Sequence, residues 1–302
     1  MSQPVTTAID PDLCVGCGAS ETVCPSETHS LQGDLAVVSG DRSLSCGHCE
    51  AVCPEGAVTV EGLDRSASTF ATFDLDPTSL AHGEVDPAEL VRLMASRRSC
   101  RTYTEEPVDR AMLEDLVKVG ATAPSAVNAQ LWTFTILPTR QAVLSLGRRV
   151  LSFFKLVSWA ADRSALRLAS RAVVGDALET FHREDGERVK QEIARFEGSG
   201  RERLFHGATA AILVGSSPGG FARSEDSLLA AQNILLAAHA MGLGSCLIGF
   251  VVAAMRHDPR IKQALGMPRE ERVHAVVALG HPDERYERIA GRKPIDVRVW
   301  EG

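Results

Sequence analysis

The 302-residue sequence lacks the features that would send it through or into a membrane. No basic start followed by an apolar stretch opens the chain, so no secretory leader is expected. The longest apolar stretches, such as Leu228–Ala238, are interrupted by polar residues and are too short to span a bilayer. Positive charge is in deficit: 32 Lys and Arg face 39 Asp and Glu, a net charge of −7. That balance argues against nucleic acid as the main partner and leads to the expectation of a cytoplasmic protein with neither nucleic-acid nor membrane partners. A dinucleotide-fold G-x-G-x-x-G string is missing, since the nearest string, Gly242-x-Gly244-x4-Gly249, has the wrong spacing. No Ser-His-Asp or Cys-His set is apparent, so no catalytic side chain is assigned. Cysteine nearly vanishes after residue 53, where only Cys100 and Cys246 remain, and both read as small buried thiols.

What is present is ordinary globular material, 44% hydrophobic and 24% charged, enough for one large domain or two smaller ones. The other six cysteines crowd into Cys14–Cys53, where without a secretory context they read as metal ligands rather than disulfides. They form an imperfect repeat with an offset of 29 residues. The first copy is Cys14-x2-Cys17-x2-Ser20-x3-Cys24-Pro25, and the second is Ser43-x2-Cys46-x2-Cys49-x3-Cys53-Pro54.

This spacing resembles that of bacterial two-cluster ferredoxins, in which each fourth cysteine crosses to the other cluster. The resemblance implies one cluster on Cys14, Cys17 and Cys53 with Ser20 at its fourth corner. It implies a second on Cys24, Cys46 and Cys49 with Ser43 at the fourth corner. Serine is harder and far less acidic than cysteine, so iron held by it is expected to be labile. The expectation is two [4Fe–4S] clusters, with iron-depleted [3Fe–4S] centres or cluster loss as open alternatives. The rival is a zinc site from Cys14, Cys17, Cys46 and Cys49, which leaves both Cys-Pro elements and the regular offset unexplained. His48 reads as a surface residue.

Residues 1–62 are therefore expected to form the ferredoxin-like domain, 63–85 a linker, and 86–302 a second domain. Asp86-Pro87-Ala88-Glu89 opens a helix, with Asp86 as cap and Pro87 at the first position. Further helices are expected at Arg110–Val119, over much of Gln141–Phe196, and at Asp226–Met241, the last apolar on most faces and so buried, as at a subunit interface. Strands are expected at Trp132–Leu137, Ala210–Gly215, Ser245–Ile248, His274–Leu279 and Asp296–Trp300. The alternation makes this part α/β or α+β.

Arg97-Arg98-Ser99-Cys100-Arg101 places three guanidiniums and a hydroxyl together, a set suited to phosphate oxygens. It is followed by Ala123-Pro124-Ser125-Ala126-Val127-Asn128-Ala129-Gln130-Leu131-Trp132. Later landmarks are Ala231-Gln232-Asn233, Gly242-Leu243-Gly244-Ser245, Ile248-Gly249-Phe250, Gly280-His281-Pro282 and Gly291-Arg292-Lys293-Pro294. In this order they resemble the nitroreductase family of flavin mononucleotide (FMN) enzymes. The resemblance implies an α+β fold with a central mixed sheet flanked by helices, in a homodimer. It also implies that Arg97, Arg98, Ser99, Arg101 and Arg292 hold the FMN phosphate and ribityl chain. Pro124, Ser125, Ala126, Asn128 and Gln130 would approach that flavin from the partner subunit, and Gly244, Ser245, Ile248 and Gly249 would line its ring. Cys46-Gly47-His48-Cys49 further resembles the ferredoxin-fused branch of the family.

The fusion implies electrons arriving from an external donor (ferredoxin, flavodoxin or NAD(P)H) and leaving to a small organic acceptor such as a nitroaromatic or quinone. Oxidative dehydrogenation, reductive dehalogenation, and a cluster-free docking module remain open. The aromatic residues of 141–205 read as core, with a lid over the flavin as the alternative.

Overall fold

The computed structural model describes residues 4–199 and 203–302. The N-terminal part carries β1 (Thr7–Ile9), α1 (Ala19–Thr22), β2 (His29–Gln32), β3 (Leu35–Val38), α2 (His48–Val52) and β4 (Val58–Val60). β1 pairs antiparallel with β4, and β2 with β3. The sequence repeat is a structural one: α1 and α2 both start after a left-handed glycine, Gly18 at φ 73° and Gly47 at φ 74°. The apolar core is small: buried Cys49, Val58 and Val60, with Ile9, Cys53 and Leu63 against them.

The 63–85 segment is mostly exposed but not loose. A 3₁₀ turn at Arg65–Ser68 is followed by a clamp, where Asp115 accepts hydrogen bonds from the Ala71 and Thr72 amides and from the Thr72 hydroxyl. The segment expected as a linker is thereby fastened as a strap, because a buried carboxylate of the Arg110–Gly120 helix accepts from its backbone.

The second part comprises α3 (Pro87–Ser96), α4 (Arg110–Gly120), β5 (Trp132–Leu137), α5 (Arg140–Ala161), α6 (Ser164–Val174), α7 (Ala177–Glu184), α8 (Gly186–Ser199), β6 (Ala210–Ser216), α9 (Arg223–Ala240), β7 (Gly244–Leu247), α10 (Gly249–His257), α11 (Pro259–Ala264) and β8 (Arg272–Gly280). Asp86 caps α3 by accepting from Ala88 N at 2.9 Å, as its sequence signature anticipates. The sheet order is β5-β6-β8-β7, and every strand pair is antiparallel. The mixed sheet expected shows here only as a parallel bridge between Ser99 and Ser245.

β6 is buried throughout and divides the core by its period of two. Ala210, Ile212 and Val214 face α4 and α9, packing on Leu113, Leu116 and Ile234. Ala211 and Leu213 face the other layer, with Val143, Val150 and Phe154 of α5 and Val251 of α10. The result is a sheet between two helical layers, with β7 at one edge.

The Gln141–Phe196 stretch is helical over most of its length, as expected, in four helices interrupted at Asp162-Arg163, Gly175 (φ 60°) and Asp185. One sequence expectation needs correction. Asp296–Trp300 is not a strand within this chain; it lies exposed, Trp300 at 89%, because no neighbouring strand offers it an edge. Among the described residues no helix is long and apolar enough to cross a membrane.

Candidate active site

The arginine motif follows α3 directly and is fixed by backbone pairing to β7. Cys100 N donates to Ser245 O at 2.9 Å, Thr104 N to His281 O at 2.9 Å, and Asp283 N to Thr102 O at 2.9 Å. Tyr103 lies over Gly280, and its hydroxyl donates to Cys100 O at 3.0 Å. Burial pushes the Cys100 thiol up to about 11, and burial raises the Cys246 thiol as well, so both are inert packing groups, as expected.

Gly244 is required by close approach. A Cβ there would sit 2.7 Å from Cys100 Sγ and 2.8 Å from Cys100 Cβ. Gly244→Ala is expected to push the arginine strap off β7 and cost about 1–3 kcal/mol, the usual range for overpacking. Thermal denaturation checks this; an unchanged midpoint would show that the strap yields freely.

An open cavity of about 1550 Å³ lies between the arginine motif, β7 and the 282–289 segment. Arg97, Arg98, Gly244 and Ser245 line it. Arg97 is half-buried, and its guanidinium is held below its ordinary value by burial, then by Arg292 and Arg98. The Ser245 hydroxyl is fully buried with no hydrogen-bond partner. Glu284 and Glu287 line the same cavity, but the Arg97, Arg98 and Arg292 charges crowd one another beside an unsatisfied hydroxyl, the complement of a polyanionic, hydroxylated group. The cradle therefore fits the phosphate and ribityl chain of FMN. Arg292 lies in the exposed C-terminal segment and joins the site through its charge on Arg97.

Arg101, Ile248 and Gly249 line a neighbouring cavity of about 1330 Å³ instead. Its far wall is the helical insertion, through Leu144, Phe154 and Phe196. Phe154 meets Phe250 edge-on at 5.4 Å and stacks near Phe181 at 6.2 Å. Phe154 belongs to the core, as periodicity suggests, and also borders the cavity, as Phe196 does. Ser99 lines neither cavity and forms a parallel bridge to Ser245.

The 124–130 loop is elsewhere. Pro124, Ser125, Ala126, Asn128 and Gln130 line neither cavity of their own chain. The loop is rigid and strained: Val127, Asn128 and Gln130 have φ of 50°, 52° and 47°, a rare conformation for a β-branched valine. Ser125 Oγ accepts from Gln130 N, and Asp226 Oδ1 from Ala126 N. The Asn128 amide donates to Leu44 O and Ser45 O, both at 3.0 Å, so this loop touches the cysteine-bearing part just before Cys46.

In that part the cysteines sort into two cavities. One, about 340 Å³, is lined by Cys14, Cys17, Ser20 and Cys53. The other, about 300 Å³, is lined by Cys24, Ser43, Cys46 and Cys49. These are the groupings the crossed repeat implies. Equivalent amides point at equivalent sulfurs, Thr28 N to Cys24 Sγ at 3.3 Å and Ala57 N to Cys53 Sγ at 3.2 Å. Burial raises the Cys24 thiol, but hydrogen bonds from Thr28 and nearby amides outweigh it and leave it below its ordinary value. The rival zinc quartet is overturned, because Cys14 and Cys17 line one cavity and Cys46 and Cys49 the other. Among the described residues no three His, Cys, Asp or Glu side chains converge as they would on a single metal ion. His48 is exposed. Sequence reasoning missed His29, which lines the second cavity off any ligand spacing, and Asp115, an unremarkable acid in a helix.

A sandwich of helices on an antiparallel sheet, with a basic cradle against its glycine-opened edge strand, defines an α+β domain built to hold an anionic cofactor. The chain belongs to the nitroreductase family, whose model matches residues 94–281, and is an oxidoreductase of that family. It is 29% identical over 201 residues to an NADH dehydrogenase of Thermus thermophilus, covering 62% of this chain and 84% of that one. It is also 28% identical over 202 residues to an iodotyrosine dehalogenase 1 homolog of Caenorhabditis elegans, covering 63% of this chain and 54% of that protein. In structure it resembles a nitroreductase with bound FMN from Desulfitobacterium hafniense, at TM-score 0.50 and 21% identity, over 70% of this chain and 98% of that one.

Proposed function

We propose that the chain is an FMN-dependent reductase of small organic acceptors, a nitroaromatic or quinone leading, supplied with electrons through an N-terminal iron–sulfur module. The observation that carries this reading is the Asn128 contact. A residue of the expected flavin loop holds the backbone of Leu44 and Ser45, at the edge of a cavity lined by three cysteines.

FMN, when bound, supplies hydride chemistry, and the iron–sulfur centres supply single-electron transfer. The chain's own part is positional. Arg97, Arg98 and Arg292 would hold the phosphate, Ser245 would satisfy its buried hydroxyl on the ribityl chain, and Gly244 keeps the strand edge open. Ile248, Gly249 and Arg101 would border the ring, with the cavity below the insertion left for the acceptor. The N-terminal module has too few buried apolar residues to be stable by packing alone, which favours a bound inorganic core.

A homodimer is supported by unpartnered apolar surface. Leu90, Val91 and Met94 of α3 and Leu228 and Leu229 of α9 are 43–59% exposed. Ile295, Val297 and Val299 alternate as in a strand but are 77–80% exposed, which suits an arm laid on a second copy. In such a dimer the 124–130 loop would serve the partner's flavin. The likeness to an iodotyrosine dehalogenase homolog favours reductive dehalogenation as a second reading, over 54% of that protein's length.

Anaerobic purification with FMN, iron and acid-labile sulfide quantified tests the proposal. One FMN with substantial iron and sulfide, and turnover of a nitro compound or quinone driven by a low-potential donor, is the expected result. FMN without iron or sulfide would remove the relay and leave a reductase with a docking appendage. Clusters that reduce while FMN stays oxidised in stopped flow would sink the electron route.

A further inference from the structure

We propose that His29, rather than Ser43, supplies the fourth protein ligand of the second iron–sulfur site; this rests on the relay reading above. His29 opens β2, is 4% exposed, and lines the same cavity as Cys24, Cys46 and Cys49. Its Nδ1 is fully buried with no hydrogen-bond partner. Buried polar nitrogens are nearly always paired, so an orphan beside three thiols calls for a ligand.

The local chain fixes this placement. Thr28, one residue before, donates its amide to Cys24 Sγ at 3.3 Å and its hydroxyl to Arg42 O at 2.6 Å. The ring is thereby tied to one cysteine of the set and to the segment leading into the other two. Ser43, the position the repeat nominates, is already engaged, since its hydroxyl accepts from Ser45 N at 2.9 Å. That bond shapes the turn into Cys46.

The chemistry favours the imidazole. Neutral nitrogen binds iron readily, whereas a serine hydroxyl must first lose a proton of very high pKa to become an alkoxide ligand. Coordination donates a lone pair from the ring nitrogen and requires no change of oxidation state. Replacing one anionic thiolate by a neutral ligand also makes a cluster easier to reduce. No histidine lines the first cavity, so the two sites would differ, the more readily reduced one lying beside the Asn128 contact.

The test uses the full chain, reconstituted anaerobically with iron and sulfide, reduced with dithionite, and prepared with either natural-abundance or ¹⁵N-labelled histidine. Pulsed electron paramagnetic resonance is expected to show one cluster with a strongly coupled nitrogen that changes with the label. His29→Leu removes that coupling, while Ser43→Ala and His48→Leu retain it. His29→Cys restores four-thiolate ligation and lowers the midpoint potential of that centre alone. A wild-type cluster without histidine coupling, or coupling that survives in His29→Leu, overturns the assignment. Absence of any bound iron and sulfide would overturn the relay itself, a result read by chemical analysis before any spectrum is taken.

Discussion

Arg97→Ala is expected to weaken FMN binding by about 10- to 100-fold. A hydrogen bond from a charged donor to phosphate contributes roughly 1.5–3 kcal/mol, and each 1.4 kcal/mol is a factor of ten. Arg97 is the half-buried member of the arginine set, and Arg98 and Arg292 both act on it as like charges, so the cavity is poised for an anion. The same repulsion means that removing Arg97 relieves strain in the cofactor-free protein, whose thermal midpoint is expected to hold or rise slightly. Fluorescence titration of the apoprotein with FMN reads the affinity. Wild-type affinity in the variant would place the phosphate elsewhere, and a collapsed apo midpoint would make Arg97 a structural residue.

Asp115→Ala is expected to act oppositely, on stability rather than on FMN affinity. Asp115 is 1% exposed and accepts from Ala71 N and Thr72 N at 3.0 and 2.8 Å and from Thr72 Oγ1 at 2.7 Å. Burial would raise this carboxyl, but the Thr72 and Ala71 hydrogen bonds outweigh it and hold it below the usual carboxylate range. Truncation removes three hydrogen bonds to a charged acceptor, but Ala71 and Thr72 are exposed and their donors can turn to water, so the loss is about 2 kcal/mol in all. For a chain of this size that is roughly a 5 °C fall in midpoint. The 63–85 strap should also become more open to proteolysis. Because the folded-state value is depressed, the stabilisation is present above the unfolded carboxyl value of about 3.9 and is lost as pH falls through the folded one. The gap between wild type and variant should therefore narrow in acid. A constant gap down to strongly acidic pH would mean that Asp115 acts only by packing.

The paired cysteine motifs were legible from their regular spacing and offset, and the structure sorts them into the two groups the crossed repeat implies. Four of the five strands expected were found within a residue or two, since each is short, apolar and bounded by turns. The fifth, near the C-terminus, has a strand's alternation but no edge to pair with in its own chain. The helical character of α5–α8 was legible but the breaks between them were not, because apolar periodicity runs on through short breaks that only capping geometry reveals.

The site was less legible than its motifs. Arg97 and Arg101 share one motif yet line different cavities, a separation that motif spacing does not encode. Asn128 reads as a flavin contact and is found holding Leu44 and Ser45, a pairing across 84 and 83 residues that no local pattern encodes.

Composition and motif order by themselves determined the nitroreductase-family class of the protein and the residue types the proposed phosphate and cluster sites would use. Those follow from local chemistry, in which spacing and side-chain type are enough. Only the tertiary structure decided which cysteines share a cavity, that Gly244 answers to Cys100, that Asp115 fastens the strap, and that His29 lies buried and unpaired among thiols. Each depends on groups brought together by packing from distant parts of the chain, and burial is what turns an ordinary histidine or aspartate into one that must find a partner.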